Sequence, residues 1–312
     1  MKIAIVGAGA MGCLYGAKLS KVKSNQVFFL DVWQEHIDAI NKNGLIMEEN
    51  GTIVKYKGLI ATNDPTSIGP VDLAIIFVKS TLTKEAMIKN YLIFGSDTTA
   101  ITLQNGLGNI EIISDAIGSK NVLAGTTAHG ATMINPGKMR HAGAGKTIIG
   151  ELTGEITERI KQIESVFNEA GIETTVSDNV VGLVWDKLLI NVGINALTGI
   201  TRVENGRLLD YPEIEQLLEL AVIEAMKVAE SKGIKLSFTD PVSHTKDVCK
   251  ATAVNKSSML QDVIKGNKTE IEMINGAIVK EGKSMGIDTP VNLVLTNIIK
   301  FVQRYELQKE NP

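Results

Sequence analysis

An α/β chain is predicted here, with a doubly wound parallel sheet in its first part and an all-helical second part, from three observations. A short apolar run, residues 2–6, opens directly into glycines; strand-like apolar runs then alternate with helix-period stretches; and from about residue 178 a 3.6-residue apolar period takes over while β-branched runs largely stop. Residues 2–6 carry no polar alternation, the pattern of a strand buried on both faces. A helix is expected from Ala10, a second strand over Gln26 to Leu30, and a second helix over Gln34 to Asn41. Between Leu45 and Lys57 two alternating stretches flank Asn50-Gly51, the turn pair of a tight antiparallel hairpin. Buried-strand patterns return at Val71–Val78, Thr99–Leu103 and Asn121–Thr126, with a helix over Asn109–Ile117 and a last short strand near Glu173–Val176. The expected domains are therefore 1–177 and 178–312.

Composition narrows the function classes. The 312 residues suffice for two domains, and 44% hydrophobic with 21% charged residues is a globular balance. Thirty-two Lys and Arg against 35 Asp and Glu leave a net charge of -3, so no field draws the chain to nucleic acid or an anionic membrane surface. The two cysteines, Cys13 and Cys249, and the four histidines, His36, His129, His141 and His244, form no ligand-spaced cluster, so neither a zinc site nor a disulfide framework is expected. The first residues lack the basic and apolar regions of a leader, and no apolar run approaches the ~18 residues of a membrane span. A cytoplasmic protein is expected.

The chemistry-bearing signal comes first at Gly7-Ala8-Gly9-Ala10-Met11-Gly12, which follows a strand and opens a helix. In that setting the first glycine makes a tight turn, the second admits a pyrophosphate to the backbone, and the third lets helix pack on strand, with the helix N-terminus aimed at phosphate. The first domain is thus read as a Rossmann-type dinucleotide-binding domain, contacted through Gly7, Gly9, Ala10, Met11 and Gly12. Asp31, at the end of the second strand, offers a carboxylate to the ribose hydroxyls, and the following Val32-Trp33-Gln34-Glu35-His36 holds no Arg or Lys for a 2'-phosphate. NAD(P)H is the expected cofactor, with NADH favoured over NADPH. In the second domain Lys187, Asn191 and Asn195 recur every four residues on one face of an otherwise apolar helix, where unpaired burial is costly. They are read as lining a cleft, a structural polar network being the alternative on spacing alone.

These segments, together with Gln104-Asn105-Gly106-Leu107-Gly108 and the stretches Asn255 to Asp262 and Thr269 to Gly276, resemble the ketopantoate reductase (2-dehydropantoate 2-reductase) family over nearly the whole chain. The resemblance implies hydride transfer from NAD(P)H to the ketone of 2-dehydropantoate, giving pantoate for pantothenate biosynthesis. It implies Lys187 as general acid and Glu270 as the carboxylate beside it, also touching the cofactor. It makes Asn105, Asn191, Asn195, Asn255 and Ser258 the substrate contacts, Asn255 and Ser258 sharing one helix face. It adds Lys79 and Asn105, at strand C-terminal ends, to the cofactor contacts, and implies a homodimer. Asp31 departs from the basic residue associated with NADPH use. A sister NAD-dependent D-2-hydroxyacid dehydrogenase acting on branched or aromatic 2-ketoacids stays open, as does, in another class, a non-catalytic dinucleotide-sensing protein.

Overall fold

The computed structural model describes residues 1–310, with side chains described through Tyr305. Twelve strands and eleven α-helices are found among the described residues: β1 (Lys2–Val6), α1 (Ala10–Leu19), β2 (Gln26–Leu30), α2 (Gln34–Asn43), β3 (Leu45–Glu49), β4 (Thr52–Tyr56), β5 (Ile60–Thr62), β6 (Leu73–Ile76), α3 (Thr83–Lys89), β7 (Thr99–Thr102), α4 (Asn109–Ile117), β8 (Val122–Thr127), β9 (Gly130–Asn135), β10 (Lys138–Gly143), β11 (Thr147–Glu151), α5 (Glu158–Glu169), β12 (Thr174–Val176), α6 (Val180–Thr201), α7 (Pro212–Ser231), α8 (Pro241–Ala251), α9 (Ser258–Ile264), α10 (Asn275–Ser284) and α11 (Pro290–Glu310). The chain divides into two compact units, residues 1–104 with 109–180, and residues 105–108 with 181–312.

In the first unit eight strands form one sheet in the order β12-β11-β8-β7-β6-β1-β2-β5, parallel except where β11 runs against β8. Alternate residues of β1 feed opposite faces. Ile3 and Ile5 join the core that includes α1 and α5 residues, while Ala4 and Val6 join the core containing Ala86 and Met87 of α3 and Ile113 of α4. Both sheet faces are therefore covered, which is why β1, β2 and β6 read as unbroken apolar runs. The chain leaves β1 toward β2 and β5, then returns to the other side of β1 as β6. That reversal makes the carboxyl ends of β1 and β6 a topological switch point, where an open α/β sheet binds its ligand.

A second sheet, β4-β3-β10-β9, stands beside α1. The β3–β4 hairpin turns through Asn50 and Gly51, both at positive φ (49° and 75°), as the sequence predicts. Its pairing with β10 is parallel and the β9–β10 ladder carries register shifts, so these two strands show no clean alternation.

The second unit is helical and built around α6. Leu188, Leu189, Val192, Ala196 and Leu197 of α6 pack with Leu218, Val222 and Ala225 of α7, Ile278 of α10, and Leu295 and Ile299 of α11. Against the expectation of no long apolar run, α6 spans 22 residues and contains an 18-residue stretch of mean hydropathy 1.5. Two-thirds of that stretch (67%) is buried inside the protein, so its apolarity is that of a core helix.

Candidate active site

Gly7 sits at φ +98°, and a Cβ there would lie 2.6 Å from the Val78 nitrogen. Only glycine lets the β1–α1 turn touch the end of β6 this closely. At Gly12 a Cβ would fall 2.0 Å from the Gly7 carbonyl oxygen, so this glycine seats α1 on the turn. Gly9 differs from both: it is exposed, and nothing lies within 4 Å of where its Cβ would be. It is also the N-cap of α1, whose first turn carries neither a capping side chain nor an acid. The uncapped N–H groups of Ala10, Met11 and Gly12 and the positive helix end form an anion-binding corner.

A cavity of about 350 Å³ opens at this switch point, lined by Gly7, Gly9, Leu30, Asp31, Val78 and Lys79 among others. Ala10, Met11 and Gly12 lie outside its lining, in the first turn of α1. The Asp31 carboxylate is already held: Oδ2 accepts from the Ala8 N–H (2.6 Å), and Oδ1 from the N–H groups of Val32 (2.7 Å) and Trp33 (2.9 Å). Asp31 therefore fixes the glycine turn as well as offering negative charge to the cavity. Trp33 stacks on His36, with centroids 5.1 Å apart. Lys79 is exposed, at the start of a 3-10 turn over Ser80–Leu82. A dinucleotide fits this donor set: a glycine-lined wall, an uncapped helix end, and an acid one strand away.

In the helical unit α6 places Lys187, Asn191 and Asn195 on successive turns of one face. Lys187 and Asn191 are half-buried, whereas Asn195 is only 4% exposed, deeper than a cleft-lining position suggests. Burial pushes the Lys187 ammonium down to about 8, and the negative charge of Glu270 works against that shift. Glu270 is half-buried and stands as N-cap of a 3-10 turn over Ile271–Met273. The Asn105–Gly108 segment belongs to this unit: the Leu107 N–H donates to the Met273 carbonyl (2.9 Å), and a Cβ on Gly106 would lie 2.4 Å from the same oxygen. Asn105 is thereby brought to the Glu270 turn.

One expectation is corrected. Asn255 and Ser258 do not share a helix face, because α9 begins at Ser258 and Asn255 lies in the loop before it. The reason is Ser257, whose hydroxyl accepts from the Leu260 N–H (3.0 Å) and caps the helix there. Asn255 is instead fixed through its backbone, its carbonyl accepting from the Asn205 N–H (3.0 Å). Both Asn255 and Ser258 are exposed.

The structure also reveals a residue that the spacing argument passed over. Thr198 lies one turn beyond Asn195 on the same α6 face, and its hydroxyl is 2.7 Å from that of Ser257. This buried contact ties the Lys-Asn-Asn helix to the start of α9, and hence to Ser258. A stripe read one turn further would have reached Thr198. Asn275, fully buried, similarly ties α10 to α6 by donating to the Val192 carbonyl (3.1 Å).

A doubly wound sheet with a glycine turn at its switch point, in one chain with a helical unit carrying a perturbed lysine and its carboxylate, defines a dinucleotide-dependent oxidoreductase. The chain belongs to the ketopantoate reductase family: residues 3–154 match ketopantoate reductase PanE/ApbA, and residues 179–303 match its C-terminal part. It is similar to the 2-dehydropantoate 2-reductase of Halobacterium salinarum, 37% identical over 97% of this chain and 99% of that one. The 2-dehydropantoate 2-reductase of Pyrococcus horikoshii is 35% identical over 96% and 97%. Among solved structures, a PanE/ApbA family ketopantoate reductase from Ralstonia eutropha JMP134 superposes with a TM-score of 0.90 at 31% identity, covering 98% of this chain and 99% of that one. D-mandelate dehydrogenase in its ternary structure with NADH and anilino(oxo)acetate gives a TM-score of 0.92 at 30% identity, with the same coverage.

Proposed function

We propose that this chain reduces 2-dehydropantoate to pantoate, with NADH preferred over NADPH. The observation that carries the reading is Lys187, half-buried on the helix that also presents Asn191 and brought down to about 8 by burial, with the negative charge of Glu270 opposing that shift. A reduced nicotinamide, held through the glycine turn of the first unit, would supply the hydride. As negative charge builds on the ketone oxygen, the Lys187 ammonium donates a hydrogen bond to it and delivers the proton, leaving the hydroxyl of the product. A pKa near 8 keeps about nine-tenths of Lys187 protonated at pH 7 while making it a better acid than an ordinary lysine. Glu270 favours the charged lysine and so opposes too deep a fall. Asn105, Asn191, Asn195, Asn255 and Ser258 are assigned to the substrate, neutral donors being sufficient for a carboxylate and a hydroxyl.

Gly7, Gly9, Ala10, Met11 and Gly12 are assigned to the pyrophosphate, Lys79 and Asn105 to the cofactor riboses. Asp31 supports the choice of NADH, since a 2'-phosphate would meet like charge where residues 32–36 hold no Lys or Arg. The same residue, with the likeness to an NADH-bound D-mandelate dehydrogenase, favours as second reading a D-2-hydroxyacid dehydrogenase for branched or aromatic 2-ketoacids. We place the enzyme in the cytoplasm, in keeping with two unpaired buried cysteines. A homodimer through the exposed apolar residues Leu220, Ile223, Leu293 and Ile298 of α7 and α11 completes the reading.

The test is Lys187→Ala, which is expected to lower the turnover number at least ~10²-fold, the scale of a lost positioned acid, while NADH binding is retained. Unchanged turnover contradicts the assignment.

A further inference from the structure

From the β9–β10 turn to the glycine turn runs a chain of hydrogen bonds through His36 and Cys13, two residues that the proposed chemistry does not use and that lie outside the cavity lining. It starts in the turn between β9 and β10, where the Gly137 N–H donates to Nδ1 of His36 (2.9 Å). A neutral imidazole that accepts at Nδ1 carries its proton on Nε2. That nitrogen lies 3.3 Å from Sγ of Cys13, and the Cys13 thiol donates to the Ala8 carbonyl (3.0 Å). On the other side of the Ala8 Cα, the Ala8 N–H donates to Asp31. His36 and Cys13 are both fully buried. Burial holds the imidazole below its ordinary range, against the charge of Asp31 and a hydrogen bond with the Ala8 backbone, and it holds the thiol above its ordinary range. Each group thus keeps the protonation state the chain of bonds requires.

The consequence follows from the planarity of the peptide bond. Both peptide planes of Gly7-Ala8-Gly9 are pinned, one through the Ala8 N–H and the other through the Ala8 carbonyl. In a trans peptide the N–H points opposite to the C=O. With the Ala8 carbonyl turned inward to Cys13, the Gly9 N–H is turned outward, at a residue that lines the cavity and has open space around it. We propose that Cys13 and His36 are positioning residues for the dinucleotide, fixing the Ala8–Gly9 peptide plane so that the Gly9 N–H faces the cofactor. Through Gly137 they also link the second sheet to the cofactor turn. This rests on the reading of the cavity as the dinucleotide site.

The experiment compares wild type, Cys13→Ala, Cys13→Ser and His36→Asn by NADH titration and by steady-state kinetics with the 2-ketoacid the wild type reduces. Loss of one buried hydrogen bond is expected to raise Kd and KM for NADH about threefold to tenfold in Cys13→Ala and His36→Asn. The turnover number at saturating NADH and the KM for the ketoacid should stay within about twofold of wild type, since only cofactor binding is weakened. Cys13→Ser keeps a donor to the Ala8 carbonyl and should restore most of the loss, which a purely space-filling role would not require. Wild type that binds neither NADH nor NADPH defeats the dinucleotide reading itself. Wild type that binds, with Cys13→Ala and His36→Asn indistinguishable from it, overturns the positioning role alone. Should the variants not fold, histidine-labelled wild type decides by nitrogen NMR: an Nε2–H tautomer of His36 that responds to NADH supports the role, and an Nδ1–H tautomer or no response overturns it.

Discussion

The pH dependence of ketoacid reduction follows directly from the surroundings of Lys187. An ordinary lysine stays charged to about 10.5, but burial brings this one to about 8, with Glu270 as the opposing influence. With Lys187 as the proposed acid, reduction needs its protonated form, so the rate should be level below the pKa and fall tenfold per pH unit above it. At pH 9 about a tenth of the enzyme retains a protonated acid, and the turnover number should fall to about a tenth of its plateau. The reverse oxidation needs the neutral amine and should rise over the same interval. Glu270→Gln removes the one influence that raises the lysine, so its basic limb must move to lower pH, and its turnover at pH 8 should drop more than at pH 6. The assay is the pH profile of the turnover number at saturating NADH and ketoacid, wild type beside Glu270→Gln. A wild-type profile flat to pH 9, or a limb that moves upward in the variant, would refute the reasoning.

Three further perturbations probe the cofactor and substrate ends. Asp31→Arg should shift preference toward NADPH yet lower efficiency with both cofactors, because the Ala8 N–H, 2% exposed at its residue, loses its acceptor at a cost of about 1–3 kcal/mol. The exposed Val32 and Trp33 N–H groups can turn to water and add little, and a wild type already more efficient with NADPH would contradict the role of Asp31. Thr198→Val removes the contact to Ser257 and should raise the KM for the ketoacid a few-fold with NADH binding unaffected. Ser258→Ala should cost on the order of 1–3 kcal/mol in catalytic efficiency, more for 2-dehydropantoate than for 2-ketoisovalerate, which lacks the terminal hydroxyl. Equal losses for the two substrates would remove Ser258 from hydroxyl recognition.

The parts of the fold legible in the sequence are those whose signal is local. β1, α1 and β2 fall where the apolar run, the glycines and the next apolar run put them, because a strand buried on both faces and a glycine turn each write themselves into a few consecutive residues. β9 and β10 leave no such local signal: β10 pairs with β3 across some ninety residues of chain, and the register shifts at Lys138/Met139 and His141/Gly143 break the period of two. Spacing also fixes which face a residue takes without fixing depth. Lys187, Asn191 and Asn195 share a face as expected, but Asn195 lies in the interior. In the Asn255–Ser258 stretch the helix start is decided by the hydroxyl of Ser257, and Asn255, Ser257 and Ser258 are all residue types that can cap a helix. The Cys13–His36 contact joins residues 23 apart on two helices, and no local period announces it.

The central claim is tested most directly by the wild-type enzyme's catalytic efficiency with NADH for 2-dehydropantoate, 2-ketoisovalerate and phenylglyoxylate, followed by loss of reduced-nicotinamide absorbance. The proposed recognition of both the carboxylate and the terminal hydroxyl by Asn191, Asn255 and Ser258 predicts the highest efficiency for 2-dehydropantoate, with pantoate formed one for one with NADH consumed. Higher efficiency for 2-ketoisovalerate or phenylglyoxylate would contradict it and make the chain a D-2-hydroxyacid dehydrogenase of the same family.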